Sequence, residues 1–400
     1  MLSLEEAQDA ILKSLCRCEE QDSVTLFQAH NRYLAEGVSA QVDNPAFDNS
    51  AMDGYAVNTA QLVRAGFRLP LHGEAGAGNA PDTLAADSTM RIFTGAPVPQ
   101  GADAVVIQED IKRDADTVVF PQTVQPGQNI RTTGQDFTRG QPLLEKGRRL
   151  GAPDLALLSA AGVPRLSVFR RPKILVVATG DELVAPGNPL APGQIYESNR
   201  LATLLQVSTL GADAADGGTV ADQPEAVRNI LKNATQYDFV ITSGGVSVGD
   251  HDLVKQIFSE IGEINFWKVR IKPGKPVAFG RLGDKTNFFG LPGNPVSSLV
   301  TFLLFVRPAI IAWHHGKTQP LYLAATTQDR YRRHAGRTEF LRGKLNSENG
   351  ETRVELLKGQ GSHMLGTLKD CNCLIRVEHD SEGFVVGETV TVWPLSSAFT

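Results

Sequence analysis

Between residues 173 and 313, short β-branched runs alternate with stretches of helical period. Residues 173–178 (KILVVA) predict a strand, and residues 199–210 predict a helix with Leu201, Leu204 and Leu205 facing inward. Asp222, with Glu225 three positions on and Pro224 in the first turn, predicts the cap of a second helix. A strand is expected at 239–242, then a helix at 251–261 with Leu253, Val254, Ile257, Phe258 and Ile261 on one face. Further strands are expected at 276–279 and 287–291. This alternation implies βαβ units in a doubly wound, mostly parallel α/β sheet, with ligands beyond the carboxyl ends of the strands. The most apolar run, 296–313, is interrupted by Ser297, Ser298, Thr301, Arg307 and Pro308, which predicts a buried helix and not a membrane span.

The flanking segments follow other patterns. At the start, Leu4, Ala7, Ile11 and Leu15 form one helical stripe, and Ser3 with Glu6 has the spacing of a capping box. Residues 45–140 are rich in Gly, Pro and short strands, with 102–110 and 116–124 expected as antiparallel pairs. Residues 140–162 look helical and are expected to pack with the N-terminal helix. After Lys317, the alternating segments TEFLRGKL, TRVELLK, CNCLIRVE and ETVTVW predict a small β-barrel or sandwich.

Composition narrows the function. With 400 residues, 42% hydrophobic and 21% charged, the chain reads as a soluble multidomain protein. A formal net charge of −5 without a Lys/Arg block argues against a sequence-independent grip on nucleic acid, while leaving room for small anionic substrates. The acidic N-terminal stretch does not resemble a signal peptide, so a cytoplasmic location is expected. The cysteines form two Cys-x-Cys pairs, Cys16/Cys18 and Cys371/Cys373, which lack the two-residue spacer of a zinc knuckle and read as reduced thiols.

Residues 242–252, TSGGVSVGDHD, fit two motifs in part. From Gly245 they have the G-x-S-x-G spacing of a nucleophile elbow, but His314, His315, His334 and His363 fall outside the sheet pattern and no oxyanion segment is evident, which disfavours Ser247 as a nucleophile. From Gly244 they open as a phosphate loop, yet Asp250 and His251 stand where Lys and Ser/Thr belong. Backbone N–H groups at Gly244 and Gly245, beside a helix N-terminus, would bind an anion. Acids facing an anion need a metal or compensating cations. Asp222, Asp250, Asp252 and Glu182 could hold Mg²⁺, and Lys268, Lys272 and Lys275 could compensate. For Asp222 and Asp250, helix capping is the competing explanation. In DNPAFDNSAMDGYAV (43–57), Asp48 and Asp53 stand in a dense polar and aromatic loop, with a plain turn residue the alternative for Asp53. RIFTGAPVPQGAD (91–103) is a strand entering a Pro-Gly loop, with Thr94 at its exit.

Together, DNSAMDGYAV, RIFTGAPVPQGADAVV, TTGQDF, ATGDEL, GQIYESNR, TSGGVSVGDHD, KPGKP and GLPGNPVS resemble the bacterial molybdopterin molybdenumtransferases (MoeA) and the related E domain of gephyrin. The resemblance implies an elongated homodimer of four-part chains. The parts are a helical linker (1–44 plus 141–170), a small β-rich domain (45–140), a central α/β domain (171–318) and a C-terminal β-barrel (319–400). It implies an active site shared between the central domain of one subunit and the β-rich domain of the other. The implied reaction inserts molybdenum from molybdate into adenylated molybdopterin, with Mg²⁺ assistance and release of AMP.

By motif, Asp53, Thr94, Asp136, Glu182, Asp222 and Asp252 match functional polar positions of that family, and Asp250 lies in the same loop. Lys268, Lys272, Lys275, Arg131 and Arg342 match basic positions near substrate, Ser362 a hydroxyl, and Pro292 and Pro295 a rigid turn. Gly244, Gly245 and Ser247 are expected to cradle pterin or nucleotide phosphate. Asp222 is followed by Gln223, where many relatives carry a second acid. An adenylyltransferase and a non-enzymatic scaffold are the alternatives. Candidate partners are the adenylyltransferase that supplies substrate and the enzymes that accept cofactor, with no nucleic acid and no membrane.

Overall fold

The run KILVVA lies in the strand Lys173–Thr179, whose residues from Ile174 onward are all buried because both faces are covered. Ile174 and Val176 pack into one hydrophobic cluster, with Val207 and Val300 from helices; Leu175 and Val177 pack into another, with Val227 and Leu231. That period-two alternation places helices on both sides of the sheet, the doubly wound arrangement. The structure is a computed structural model and describes residues 1–79, 82–221, 223–244 and 262–395. The expected helix at 251–261 and the residues Asp222, Gly245, Ser247, Asp250 and Asp252 lie outside the described residues.

The central sheet has six strands, in the order Asp213–Val220, Lys173–Thr179, Phe239–Ser243, Thr286–Leu291, Pro276–Leu282 and Gly262–Lys268. The first four are mutually parallel and the last two antiparallel to their neighbours, so the sheet is mostly parallel. The strands Asp213–Val220 and Gly262–Lys268 were not evident in the sequence. The former, DAADGGTV, is a half-exposed edge with no apolar alternation to betray it. Register decides where the loops go: Ala178 is level with Ser243, Ser243 with Leu291, and Lys268 with Pro276. The turns after Thr179, Ser243 and Leu291 therefore emerge on one edge. The hairpin Pro276–Leu282/Thr286–Leu291 folds back, so the loop between Lys268 and Pro276 emerges there too.

Several helix expectations needed correction. In the helix Asn199–Thr209 the buried positions are Thr203, Gln206 and Val207, Leu204 is only half-buried, and Leu201 and Leu205 are 55% and 60% exposed. Both stripes have helical spacing, so periodicity alone could not say which one meets the sheet. The next helix is Pro224–Asn233, with Gln223 at its N-cap and Pro224 in its first turn. Residues 140–162 are mostly not helical: they hold the strand Pro142–Leu144 and a helix only at Ala152–Ala160. Gly147, at φ +80°, turns so tightly against the 315–316 backbone that a Cβ would come within 2.2 Å of the His315 carbonyl oxygen, which a continuous helix could not do.

The short helix also packs elsewhere than expected. Its Leu158 lies in a cluster with Ala29, Leu34, Leu150 and Val168. The N-terminal helix Leu4–Ser14, closed by the expected capping box (Glu6 N–H to Ser3 Oγ 3.1 Å, Ser3 N–H to Glu6 Oε2 2.7 Å), instead buries Leu4, Ala7, Ile11 and Leu15 against the apolar run. That run is a core helix, Pro295–Thr301 continuing through a π-helical turn Phe302–Val306 into Arg307–Trp313. It is buried along nearly its whole length.

The two β-rich portions are distinct sheets. The strands Gly54–Val57, Arg68–Ala75, Thr89–Ile92, Ala104–Ile107, Lys112–Asp114 and Thr117–Val119 form one. Ala104–Ile107 and Thr117–Val119 are each antiparallel to their neighbours, but they pair with Gly54–Val57 and with Lys112–Asp114 and Arg68–Ala75, not with one another. In the other, Thr338–Glu348 pairs with Glu351–Leu356 and Cys373–Val377. The circuit closes through Leu323–Thr327 and Thr389–Pro394, making a β-barrel. The short strand Ile271–Lys272, which follows the central sheet's edge strand, joins this barrel parallel to Thr338 and Glu339.

Candidate active site

A cavity of about 550 Å³ opens at the shared strand edge. Its floor is Thr179 and Ser243, at the ends of adjacent parallel strands, with Gly244 immediately after. The Gly244 N–H donates to the Leu291 carbonyl at 3.1 Å, and Asn199 Nδ2 donates to the Gly293 carbonyl at 2.7 Å, so three turns are tied together. Ser198 and Asn199 bring one helix N-terminus to the wall, and Asn294 and Pro295 bring a second. The aligned peptide dipoles of two helices make this edge favourable to an anion. The Thr179 hydroxyl, at the end of the strand that lines the cavity, is buried without a partner among the described residues.

Glu182 stands exposed on the same wall. Glu197 lines it too but is committed: it is buried, accepts the Arg200 N–H at 2.6 Å, and sits 3.7 Å from the Arg200 guanidinium. Among the described residues no three carboxylate, imidazole or thiol groups converge on a metal position. Of the four acids expected to hold Mg²⁺, only Glu182 is described. One hard oxygen ligand does not by itself make a magnesium site.

A second cluster forms in the β-rich portion. Asp53 Oδ1 accepts both the N–H and the hydroxyl of Thr94, each at 2.7 Å. The Thr94 backbone bond is the main cause, with its hydroxyl second, that holds the Asp53 carboxyl below the usual aspartate range; Arg91 adds to the effect. Asp53 is thus bonded across two loops, not to its own turn. Asp48 grips Thr133 in the same way, at 2.7 and 2.8 Å. Asp136 accepts from Asn44 at 3.0 Å and shares a cavity of about 470 Å³ with Arg131. Arg91, which the sequence reading passed over, lies 5.0 Å over the Tyr55 ring and 5.2 Å over that of Phe93. Among the described residues, no hydrogen bond, ion pair or shared cavity connects this cluster with Glu182.

The basic positions divide. Lys268 and Lys275 are exposed at the two ends of the loop on the shared edge, and Lys272 Nζ bonds Glu339 at 3.2 Å. The edge strand carrying Lys268 lies two places from Thr286–Leu291, about 10 Å across the sheet. Arg342 does not line the cavity. It is 1% exposed and donates to the carbonyls of Gly359 (2.6 Å) and Gly361 (3.1 Å). Burial pulls its pKa down. The loop it holds delivers His363 and Leu365 to the cavity, while the Ser362 carbonyl accepts the Val296 N–H at 3.0 Å. Arg342 therefore acts on the cavity through this loop. Replacing it with Gln should lower stability by about 1.5–3 kcal/mol, from lost charge-assisted hydrogen bonds. A denaturant titration checks this, and an unchanged midpoint would contradict it. Pro292 ends the strand before this helix and Pro295 opens the helix, forming the expected turn.

Comparison with known proteins agrees with this architecture. Three family models match in sequence order: "MoeA N-terminal region (domain I and II)" over residues 2–162, "Probable molybdopterin binding domain" over 175–312, and "MoeA C-terminal region (domain IV)" over 324–395. The molybdopterin molybdenumtransferase of Haemophilus influenzae is 39% identical, covering 99% of this chain and 99% of its own. That of Bacillus subtilis is 32% identical, over 96% and 93%. A solved molybdopterin biosynthesis moeA protein from Pyrococcus horikoshii OT3 superposes with a TM-score of 0.84 at 30% identity, covering 98% of this chain and 100% of that one. With its strand-edge cavity, β-rich portion and closed barrel, the chain belongs to the MoeA family of molybdopterin molybdenumtransferases.

Proposed function

We infer that this protein is a transferase of molybdenum cofactor biosynthesis that inserts molybdenum from molybdate into adenylated molybdopterin and releases AMP. The observation that carries this reading is the cavity at the parallel-strand edge, where Thr179, the Gly244 turn and two helix N-termini converge with Glu182. Such an edge favours a phosphate-bearing ligand through fixed peptide dipoles that need no reorganisation when charge develops. Lys268, Lys272 and Lys275 offset the negative charge of two oxyanions that must meet. Glu182, with Asp222, Asp250 and Asp252, is proposed to hold Mg²⁺, which would supply positive charge to neutralise the remainder, and Gly245 and Ser247 are proposed to extend the cradle. The four parts of this enzyme are proposed to be a helical linker (1–44 plus 141–170), a β-rich domain (45–140), a central α/β domain (171–318) and a C-terminal β-barrel (319–400).

The test is AMP release from adenylated molybdopterin and Mg²⁺, with and without molybdate, followed by reconstitution of a cofactor-free molybdenum enzyme. Molybdate-dependent release with active product is expected. Adenylation of free molybdopterin by ATP instead would reassign the protein as the adenylyltransferase.

Asp53, Thr94, Arg131 and Asp136 are proposed to complete the cavity of a second copy in a homodimer. Two observations support this: among the described residues no hydrogen bond, ion pair or shared cavity joins the two clusters within one chain, and Leu201, Leu205, Ile195 and Tyr196 leave apolar surface uncovered beside the cavity. Mixing inactive Asp53→Asn and Glu182→Gln subunits should then restore activity, because a mixed dimer has one intact site, giving about a quarter of the wild-type rate for random exchange. A mixture as inactive as its parents would rule out the shared site.

A further inference from the structure

Glu339 is 4% exposed, and a carboxylate so placed is tolerated only with close partners. Tyr331 donates its hydroxyl to Oε2 at 2.6 Å, and Arg333 lies 3.4 Å from Oε1, itself buried. Arg333 is fixed in turn by the carbonyls of Arg337, Glu378 and Ser381. Burial, followed by the bond to Glu339, raises the Tyr331 pKa, as expected for a phenol donating to a charged carboxylate. All of these groups belong to the C-terminal portion that carries the barrel, so Glu339 is already compensated from within it.

The third partner comes from elsewhere. Lys272 Nζ reaches Oε1 at 3.2 Å from the short strand Ile271–Lys272, whose residues pair in register with Thr338 and Glu339. The Lys272 side chain remains 47% exposed. An ammonium carries three donors, so one can be spent on Glu339 while the others stay available to an incoming anion. Lysine has a long, mobile stem, and holding its tip removes freedom that substrate binding would otherwise have to remove.

We propose that Glu339 is a positioning residue: from the barrel it holds the Lys272 ammonium at the strand edge, so that the barrel sets the geometry with which the central domain receives its oxyanionic substrate. This rests on the reading of Lys272 as substrate-binding. The experiment compares Glu339→Gln, Lys272→Met and the double variant in the AMP-release assay, with calorimetric binding of AMP as a second readout. Glu339→Gln is expected to raise KM about tenfold with kcat within about twofold, and the double variant should be no worse than Lys272→Met alone.

Independent, multiplying losses in the double variant, or an unchanged KM with a lowered melting temperature, would show a merely structural role and overturn the proposal. If Glu339→Gln does not fold, Glu339→Asp keeps a buried carboxylate but withdraws it by one methylene from Lys272, as from Arg333, and carries the same expectation for KM and for the double variant with Lys272→Met. Wild-type protein without molybdate-dependent release would instead remove the functional reading itself. Active wild type with unaffected Glu339 variants removes only this inference.

Discussion

Replacing Gly244 with Val should reduce kcat/KM for AMP release by about 100-fold or more, since a displacement of about 1 Å at a reacting centre has that effect. Gly244 has φ +92°, and a Cβ there would lie 2.5 Å from the Thr179 carbonyl oxygen and 3.0 Å from its hydroxyl. The left-handed region costs an ordinary residue about 1–2 kcal/mol, and a β-branched one more. The overlap adds to this because its main partner is the backbone of the adjoining strand, which no rotamer change can move. The turn must therefore shift, breaking the Gly244 N–H bond to Leu291 and displacing a hydroxyl on the cavity floor.

A total loss of stability of about 2–4 kcal/mol is expected, with Gly244→Ala intermediate in both respects. Denaturant melts and single-turnover AMP release measure the two effects separately. Near-wild-type turnover in the valine variant would mean that the turn does not shape the site.

The cavity's floor was legible in the sequence because β-branched runs that stop abruptly at Gly, Asp or Pro mark the carboxyl ends of parallel strands. Thr179, Gly244 and Pro295 were placed in this way. Its walls were less legible. His363 was set aside as lying outside the sheet pattern, and it does belong to the barrel portion, but the Val296–Ser362 bond and the Arg342 anchors bring its loop to the helix N-terminus. Nothing in local periodicity encodes a contact over such a sequence separation. Arg342 was recognised as basic, but only the barrel shows it buried, so a role in direct contact becomes one of support.

The edge strand Asp213–Val220 escaped notice because half-exposed strands need no apolar alternation. The helix Asn199–Thr209 was found but turned the wrong way, since its leucines face outward. In each case the element was local information and its orientation was tertiary information.

Asp53→Asn should lower the rate of AMP release by about 100-fold while leaving the fold intact, an effect of the size seen when a preorganised electrostatic group is removed from an active site. The amide has nearly the shape of the carboxylate, and its oxygen can still accept from Thr94, so the loop contact survives while the charge is lost. The pH dependence separates charge from shape. Because Thr94 and Arg91 hold the folded pKa of Asp53 below its unfolded value, the stabilisation from its carboxylate is fully present above the unfolded pKa. It is lost only as pH falls through the lower, folded value.

Across about pH 5 to 8, both folded and unfolded forms carry the charge, so Asp53 contributes no slope to stability and stays ionised in the site. The ratio of wild-type to Asp53→Asn rates should therefore remain flat over that range. Thr94→Val, which keeps the backbone donor and removes the hydroxyl, should raise the Asp53 pKa only in part, because the backbone bond is the larger cause. A rate ratio that collapses towards one near pH 6 would show that a different titrating group supplies the effect, and would remove Asp53 from the chemistry.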